Sequence, residues 1–450
     1  MKKRILAVLI ATALAVSVTG CAGNATSSSD STSSSSVAES SDTSTQTSAD
    51  ASSEDESKDE SSQEESKDLE ANYTKYALDG DLTQHMIDMS RLNEGNKVRL
   101  ANVIKKLKNG EEVTVGFIGG SITQGTSAGN DLCYAKLTAD WLQQTYSGAK
   151  VNYINAGIGA TGSYIGVHRV TNDLLSKNPD LVFVEFSVND TTEFTDRNKE
   201  SYDSLLRTIW KSSTNPAIIT IATTQEDGTS FQDQHAEIVK HYDLPMISYR
   251  NTILDTIKHG DIVWKDISDD NIHPNVPGHK IVSQLLQAYI SDVDKNIDSI
   301  SGDESDFSAP ATNAGYENGS LLTLATAGDT VTANGLIKSN ESNFGGFDGY
   351  WFFKGSAKSD LSSTDLTFKV NAKNIGILYG KYVTAGCTAD VYVDDELVTT
   401  LSSDFTGGWG NYVECAQLKS FDTAGEHTVK IVPKAGEGAS MFSVTALAIA

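Results

Sequence analysis

The feature that most constrains this chain is a run of five short apolar segments alternating with helical patterns. The segments begin at Val113 and continue with Lys150–Asn155, Leu181–Val188, Ala217–Thr223 and Pro245–Tyr249. Between them, apolar residues recur at helical spacing. Leu92, Val98, Leu100, Val103, Ile104 and Leu107 predict an amphipathic helix over Arg91–Leu107. Further helices are expected over Cys133–Tyr146, from about Gly162 to Lys177, over Lys199–Ser212 and Gln232–His241, and after Pro277. Strands alternating with helices at this spacing build βαβ units with right-handed crossovers, hence a parallel sheet covered on both faces.

In such a sheet the carboxyl ends of all strands open on one side, where ligands bind. Four segments with unusual residues fall at or beyond those ends. The first strand runs into Gly119-Gly120-Ser121-Ile122-Thr123, where glycines let the backbone turn sharply and leave a hydroxyl uncovered. The second runs into the glycine-rich Asn155–Gly162 and the third into Asn189-Asp190. Past the fifth strand lies Asp270-Asn271-Ile272-His273. Nucleophilic catalysis needs a hydroxyl, an imidazole to take its proton, a group that orients the imidazole, and donors for an oxyanion. The four segments supply that set, and the Asp-x-x-His spacing lets the carboxylate reach the second ring nitrogen. Asp269 competes with Asp270 for the orienting role, and spacing favours Asp270. Asp190 is expected to cap the segment after it. His279 is expected to be solvated at the start of the last helix, and His168, His235, His241 and His259 lie on helical patterns without a carboxylate motif. Tyr134 and Trp264 are candidates both for lining a site and for core packing.

The amino terminus adds a second constraint. Lys2, Lys3 and Arg4 precede an apolar run, Ile5–Val16, too short to span a bilayer as a mature helix. It ends in Val18-Thr19-Gly20-Cys21, which resembles the lipobox of bacterial lipoproteins; that resemblance implies an exported chain lipidated at Cys21 and held at the extracellular face of the cell membrane. Residues 22–70 carry thirteen acidic and two basic side chains and almost nothing apolar, so they cannot bury enough surface to order themselves. As a flexible coil this stretch would span roughly 40 Å, a tether between anchor and folded cargo. The whole chain has a formal charge of −25. Removing the −11 of the tether and the +3 of the leader leaves a body at about −17. Nucleic acid needs basic patches and is excluded as a partner. Cys133, Cys387 and Cys415 show no metal-ligand spacing, so no metal, cofactor or structural disulfide is expected, although Cys387 and Cys415 share the last domain.

Taken together in order, the four segments from about Val113 to Ala288 resemble the blocks of the SGNH (GDSL-type) hydrolases. The resemblance implies that Ser121 is the nucleophile, His273 the general base and Asp270 its orienting carboxylate. It implies an oxyanion hole from the backbone N–H of Ser121, the Asn189 side-chain amide and a backbone N–H in the second block, where the position usually held by glycine falls on Ala160 with Gly159 adjacent. Gly120 replaces the aspartate of the better-known subgroup, and Gly-Gly-Ser-Ile-Thr looks more like the polysaccharide-deacetylating, carbohydrate-esterase-like branch. The implied fold is α/β, a three-layer αβα sandwich with a parallel, flavodoxin-like sheet.

Beyond a Ser/Asp/Gly-rich stretch at 301–310, read as a linker, the alternation stops. Leu366–Val370, Ile375–Tyr379, Ala389–Val393, Leu397–Leu401, His427–Val432 and Ser443–Ile449 read as strands divided by turns. An all-β sandwich (jelly-roll-like) domain over 311–450 is expected, similar to modules that accompany carbohydrate esterases. Trp351 and Trp409 lie near glycine-rich turns and are candidates for stacking on sugar rings or for the core. The organisation expected is leader 1–21, tether 22–70, hydrolase domain 71–300, linker and β-domain. The function expected is a surface-anchored serine esterase removing O-acetyl groups from polysaccharide or oligosaccharide through an acyl-enzyme. A lipid-directed or short-chain acylhydrolase and a non-catalytic glycan-binding lipoprotein are the alternatives.

Overall fold

A computed structural model describes residues 73–78, 80–190, 194–343, 346–355, 363–407, 410–434 and 440–450. Cys21, the acidic stretch 22–70 and Trp409 lie outside the described residues. No helix among the described residues is long and apolar enough to cross a membrane.

The first sheet has six strands: β1 (Arg91–Asn93), β2 (Glu112–Gly119), β3 (Lys150–Gly157), β4 (Leu181–Glu185), β5 (Ala217–Ala222) and β6 (Met246–Ser248), ordered β1-β6-β5-β4-β2-β3. β2 to β6 pair in parallel, and β1 closes one edge antiparallel to β6. Numbered along the chain, the five parallel strands run 2-1-3-4-5, the flavodoxin-like order. The strand carrying Ser121 at its end therefore lies between those leading to Asn155–Gly162 and to Asn189. Sequence order alone does not dictate that adjacency.

Strand residues alternate between two cores, as a period of two requires. Val113, Val115, Phe117, Leu181 and Phe183 join the helices Val98–Lys108, Tyr134–Thr145 and Val276–Lys295 on one face. Ile118, Val182 and Val184 join Ser163–Asp173, Thr195–Trp210 and Gln232–His241 on the other. Gly116 belongs to this second face because a Cβ there would come within 2.3 Å of Leu174. The helix expected over Arg91–Leu107 begins only at Val98. Before it, Arg91–Asn93 join the sheet, and the chain turns at Gly95 with φ +60°, where a Cβ would lie 2.2 Å from the Pro245 nitrogen. A left-handed backbone pressed against another backbone admits only glycine.

The second domain is all antiparallel: β7 (Ser320–Thr323), β8 (Val331–Asn334), β9 (Ile337–Asn343), β10 (Phe347–Gly355), β11 (Asp365–Lys381), β12 (Thr388–Val393), β13 (Glu396–Ser402), β14 (Tyr412–Lys434) and β15 (Ser440–Ile449). Its strands follow the order β13-β12-β14-β11-β15-β10-β9, with β7 on β15 and β8 on β11. The two segments expected as separate strands at Leu366–Val370 and Ile375–Tyr379 are one strand, β11, whose register shifts between Ala372 and Asn374. Its first half pairs with β8 and its second with β15, while both pair with β14. Bulged long strands with different neighbours at each end are how one sheet folds over into a sandwich.

The stretch read as a linker is bound to the first domain. Phe307 stacks on Tyr242 at 3.9 Å and on Trp210 at 4.5 Å between centroids. Arg99 pairs with Glu304 at 2.6 Å, and Asp203 accepts the backbone N–H of Thr312 at 2.7 Å. Tyr164 and Ile158 share a core cluster with Phe347, Leu378, Val413 and Ala446 of the β-domain. Composition showed the polar residues of this stretch, but not the aromatic ring that fixes it.

Candidate active site

Ser121 opens a one-turn helix, Ser121–Gln124, directly after β2 and Gly120. Its Oγ lies 2.9 Å from Nε2 of His273, and Nδ1 of His273 lies 2.8 Å from Oδ2 of Asp270. The structure thus brings together side chains up to 152 positions apart along the chain. Asp270 also accepts the backbone N–H groups of Ile272 at 2.7 Å and His273 at 2.6 Å through Oδ1. Burial would raise this carboxyl, but the ring and the two backbone donors outweigh it and hold it below the usual aspartate value. Asp269 makes no such contact with the ring.

The loop carrying Asp270 and His273 is held by groups that motif reasoning missed. The Trp264 indole N–H donates to the Asp270 carbonyl at 2.7 Å. The buried Ser268 hydroxyl lies 2.8 Å from that carbonyl and 2.6 Å from the His273 carbonyl. Asn271 accepts the Glu226 N–H at 2.9 Å, and Asn275 caps the helix Val276–Lys295 through the N–H of Gly278. Trp264 is therefore a positioning residue rather than a wall of the site. Tyr134 is fully buried, its hydroxyl 2.8 Å from Thr123 Oγ1, and it too supports rather than lines.

The candidate oxyanion donors differ in their hydrogen bonding. Ser121 is the first residue of its turn, so its N–H has no intrahelical acceptor. In the second block, Gly159 N–H donates to Gln124 Oε1 at 3.0 Å, which removes Gly159 from the expected pair of donors. Ala160 sits in the left-handed region at φ +57°, and its N–H makes no hydrogen bond among the described residues. The loop is fixed beneath it: Asn155 Nδ2 donates to the Thr123 carbonyl at 2.8 Å and Ile158 N–H to the Gly119 carbonyl at 3.1 Å. Asn189 lies over Gly120 so closely that a Cβ at position 120 would stand 1.9 Å from its Oδ1.

Asp190 joins two distant elements, while the segment it is expected to cap begins with residues 191–193, outside the described residues. Its Oδ1 accepts the Ser163 N–H at 2.8 Å, at the start of the helix after the second block. Its Oδ2 lies 2.9 Å from Nε2 of the buried His235, whose ring stacks on Tyr202 at 3.6 Å. The Ser163 contact ties the loops bearing Ala160 and Asn189 to each other, and the His235 contact, which no local motif announces, holds Asp190 to the helix Gln232–His241. Arg169, also buried, reaches the carbonyls of Ala156 at 2.6 Å and Gly119 at 3.0 Å under the same loops.

His279 is buried, contrary to the solvated ring expected from its helix position. Its Nδ1 accepts the Tyr134 N–H at 3.1 Å, which requires that nitrogen to be unprotonated. Burial pulls the imidazole down to about 4, against the Thr126 carbonyl, which favours the charged form. His168 is likewise drawn to about 4 by burial, against its bond to the Tyr164 carbonyl. Unfolded imidazoles titrate near 6.5, so between about 4 and 6.5 the unfolded chain binds more protons. Stability from these rings is complete above that window and is lost as pH falls through it, on the order of 3 kcal/mol each. Urea melts between pH 7 and 4.5 should show the loss, and His279→Gln should make it shallower.

A groove of about 1080 Å³ starts at Ala160 and Asn189 and runs between the domains. The first domain contributes Phe194, Asp196 and Arg197, and the second Tyr379, Glu414 and Lys419. Trp351, a candidate for sugar stacking, is fully buried in β10 with its ring edge-on to Phe368 at 5.4 Å. Alternation along β10 turns it into the sandwich core, which rules out that role. Phe194 is instead an exposed aromatic ring on the groove, 47% accessible, beneath the Arg197 guanidinium at 4.3 Å. Cys133, Cys387 and Cys415 are all free thiols.

Comparison with known proteins gives the same outline. Residues 117–281 match the GDSL-like lipase/acylhydrolase family. No curated protein sequence matches. Among solved structures, the chain is similar to a two-domain esterase (CEX) active on acetylated mannans, with 30% sequence identity and a TM-score of 0.74, covering 80% of this chain and 97% of that one. The same esterase co-crystallized with mannopentaose gives 30% identity, a TM-score of 0.72 and the same coverage. The likeness takes in both domains.

Proposed function

The chain belongs to the GDSL-like lipase/acylhydrolase family, as a carbohydrate-esterase-like SGNH hydrolase, and from that premise we propose that it removes O-acetyl groups from a mannan-type polysaccharide through an acyl-enzyme. The observation that carries the reading is the relay of 2.9 Å and 2.8 Å joining Ser121, His273 and Asp270. Ser121 Oγ attacks the acetyl carbonyl while its proton passes to Nε2 of His273. The oxyanion is received by the N–H groups of Ser121 and Ala160 and the Asn189 amide. His273 returns the proton to the departing sugar hydroxyl. A water, deprotonated by the same ring, then attacks the acetyl-serine, and acetate leaves with Ser121 restored.

The substrate reading is supported by the two-domain likeness to an esterase active on acetylated mannans and by the groove that begins at the oxyanion loops. Sugar hydroxyls suit such a groove because Asp196, Arg197, Glu414 and Lys419 offer both donors and acceptors. Lipidation at Cys21 and the acidic stretch 22–70 would hold this activity outside the cell membrane, within reach of insoluble or partly degraded glycans.

Acetate release should be measured on acetylated mannan, xylan and pectin, alongside nitrophenyl esters of acetate and medium-chain acids. The expected result is the highest kcat/KM on acetylated mannan, with the nitrophenyl ester rate falling as the acyl chain lengthens. A preference for medium-chain esters overturns the deacetylase reading. Cys21→Ala should move the protein from the membrane fraction to the medium without changing its kcat.

A further inference from the structure

Far from Ser121 in sequence, three metal-ligating side chains converge that take no part in the relay. His85 lies on the helix Gln84–Ser90, Asp255 on the helix Tyr249–Lys258, and His259 is the residue that ends the latter. His85 Nε2 stands 2.6 Å from Asp255 Oδ2, and His259 Nδ1 stands 3.2 Å from the same oxygen. One ligand atom from each lies within 4.8 Å of the other two. His85 is buried, and the side chains of Asp255 and His259 are 14% and 18% accessible. The pocket is therefore largely dry but open on one side.

We propose that His85, Asp255 and His259 form a binding site for a zinc-like divalent transition ion. The donor chemistry selects the class of ion. Two imidazoles and one carboxylate suit Zn²⁺ or its neighbours, whereas Ca²⁺ and Mg²⁺ demand mostly oxygen ligands. Bonds of about 2.0–2.1 Å place tetrahedral ligand atoms roughly 3.3 Å apart, a spacing these side chains reach with small rotations. Three protein ligands leave a fourth position for water. A backbone contact also holds the His259 ring in place, its Nδ1 lying 2.9 Å from the Asp255 carbonyl. Tyr73 closes the site from outside, stacked on His259 at 4.1 Å and edge-on to His85 at 5.4 Å.

Location gives the site its consequence. Tyr73 and His85 belong to the first described residues after the acidic stretch, and Tyr76 N–H donates to Asp261 at 2.7 Å. Asp255 and His259 belong to the element that leads directly into Trp264, Ser268 and the loop of Asp270 and His273. An ion here would clamp the start of the folded body onto the segment supporting the catalytic loop. It would stabilise the protein without touching the reaction.

The test titrates chelator-treated full-length protein with Zn²⁺ by calorimetry and follows melting temperature, with Ca²⁺ and Mg²⁺ as controls. The expected result is one Zn²⁺ per chain, a raised melting temperature, and no response to the controls. His259→Gln, at a helix end and partly accessible, should weaken Zn²⁺ binding at least about tenfold while leaving the metal-free melting temperature near that of the wild type. His273→Ala should bind Zn²⁺ as the wild type does, which separates this site from the relay. Absence of Zn²⁺ binding in the wild type, or unchanged binding in His259→Gln, overturns the proposal. Anomalous scattering at the zinc edge from Zn²⁺-soaked crystals gives an independent answer, with a peak among the three side chains expected. None of these outcomes bears on the esterase reading.

Discussion

Ser121→Ala should lower kcat for acetate release by roughly 10⁴–10⁶ while leaving the fold and glycan affinity intact. The size follows from the role proposed for the hydroxyl, that of the atom bonding to the acetyl carbon, and from its 2.9 Å contact with His273 Nε2. Serine hydrolases lose about this much when any member acting as part of the unit is removed, and the remainder comes from binding and the oxyanion donors alone. The structural cost is small because Ser121 is half-buried and its side-chain hydrogen bond is the one to His273. Melting temperature and mannan-oligosaccharide affinity should therefore match the wild type. The same experiment separates enzyme from binding protein. If wild type and variant both bind glycan and neither releases acetate from any ester, the chain is a non-catalytic glycan binder. Residual activity in Ser121→Ala close to that of the wild type places the nucleophile elsewhere.

Much of this site was legible because a parallel sheet gathers its strand ends, whatever their separation in sequence. Ser121, Asn189, Asp270 and His273 could be named from motif order and that rule. Legibility stopped where contacts are made by residues without a motif. Nothing around His235 announces that it meets Asp190, since the pair is created by the packing of the helix Gln232–His241 against Thr195–Trp210. Counting placed the second-block donor on Ala160 with Gly159 adjacent, and spacing left the register between them open. The Gln124 side chain, which spacing does not see, engages one N–H and leaves the other.

The β-domain was harder for a related reason. Its strands were visible where alternation is clean, as at Ala389–Val393, but β7 to β10 mix polar and apolar residues without a clear period. Trp351 illustrates the failure. A large aromatic ring beside glycines reads equally well as an exposed platform or a core residue, and only the register of β10 against β15 and β9 decides which way it faces. The Ser/Asp/Gly stretch at 301–310 misled by composition, because one Phe307 ring between Tyr242 and Trp210 outweighs several polar neighbours. Burial of an aromatic side chain contributes roughly 1.5–3 kcal/mol, enough to fix a short polar segment.

Gly120→Ala should cost about 10²–10³ in kcat with little change in KM, the loss expected for one oxyanion donor. Backbone strain is not the reason, since Gly120 has φ −89°. The reason is space. A Cβ would stand 1.9 Å from Oδ1 and 2.8 Å from Cγ of Asn189, and 3.2 Å from the Thr161 carbonyl oxygen. The carbonyl belongs to backbone held by neighbouring loops, so the Asn189 side chain is the part that must move, and its amide leaves the position proposed for it in the oxyanion hole. Asn189→Ala removes that amide outright and should lose a similar factor. The two changes act on one group, so their effects should not add: the double variant should resemble Asn189→Ala within about threefold. A double variant slower by the product of the two factors would show that Gly120 serves some purpose other than leaving room for Asn189. Gly120→Ala with wild-type kcat would remove Asn189 from the proposed oxyanion hole and leave Ser121 and Ala160 as its donors.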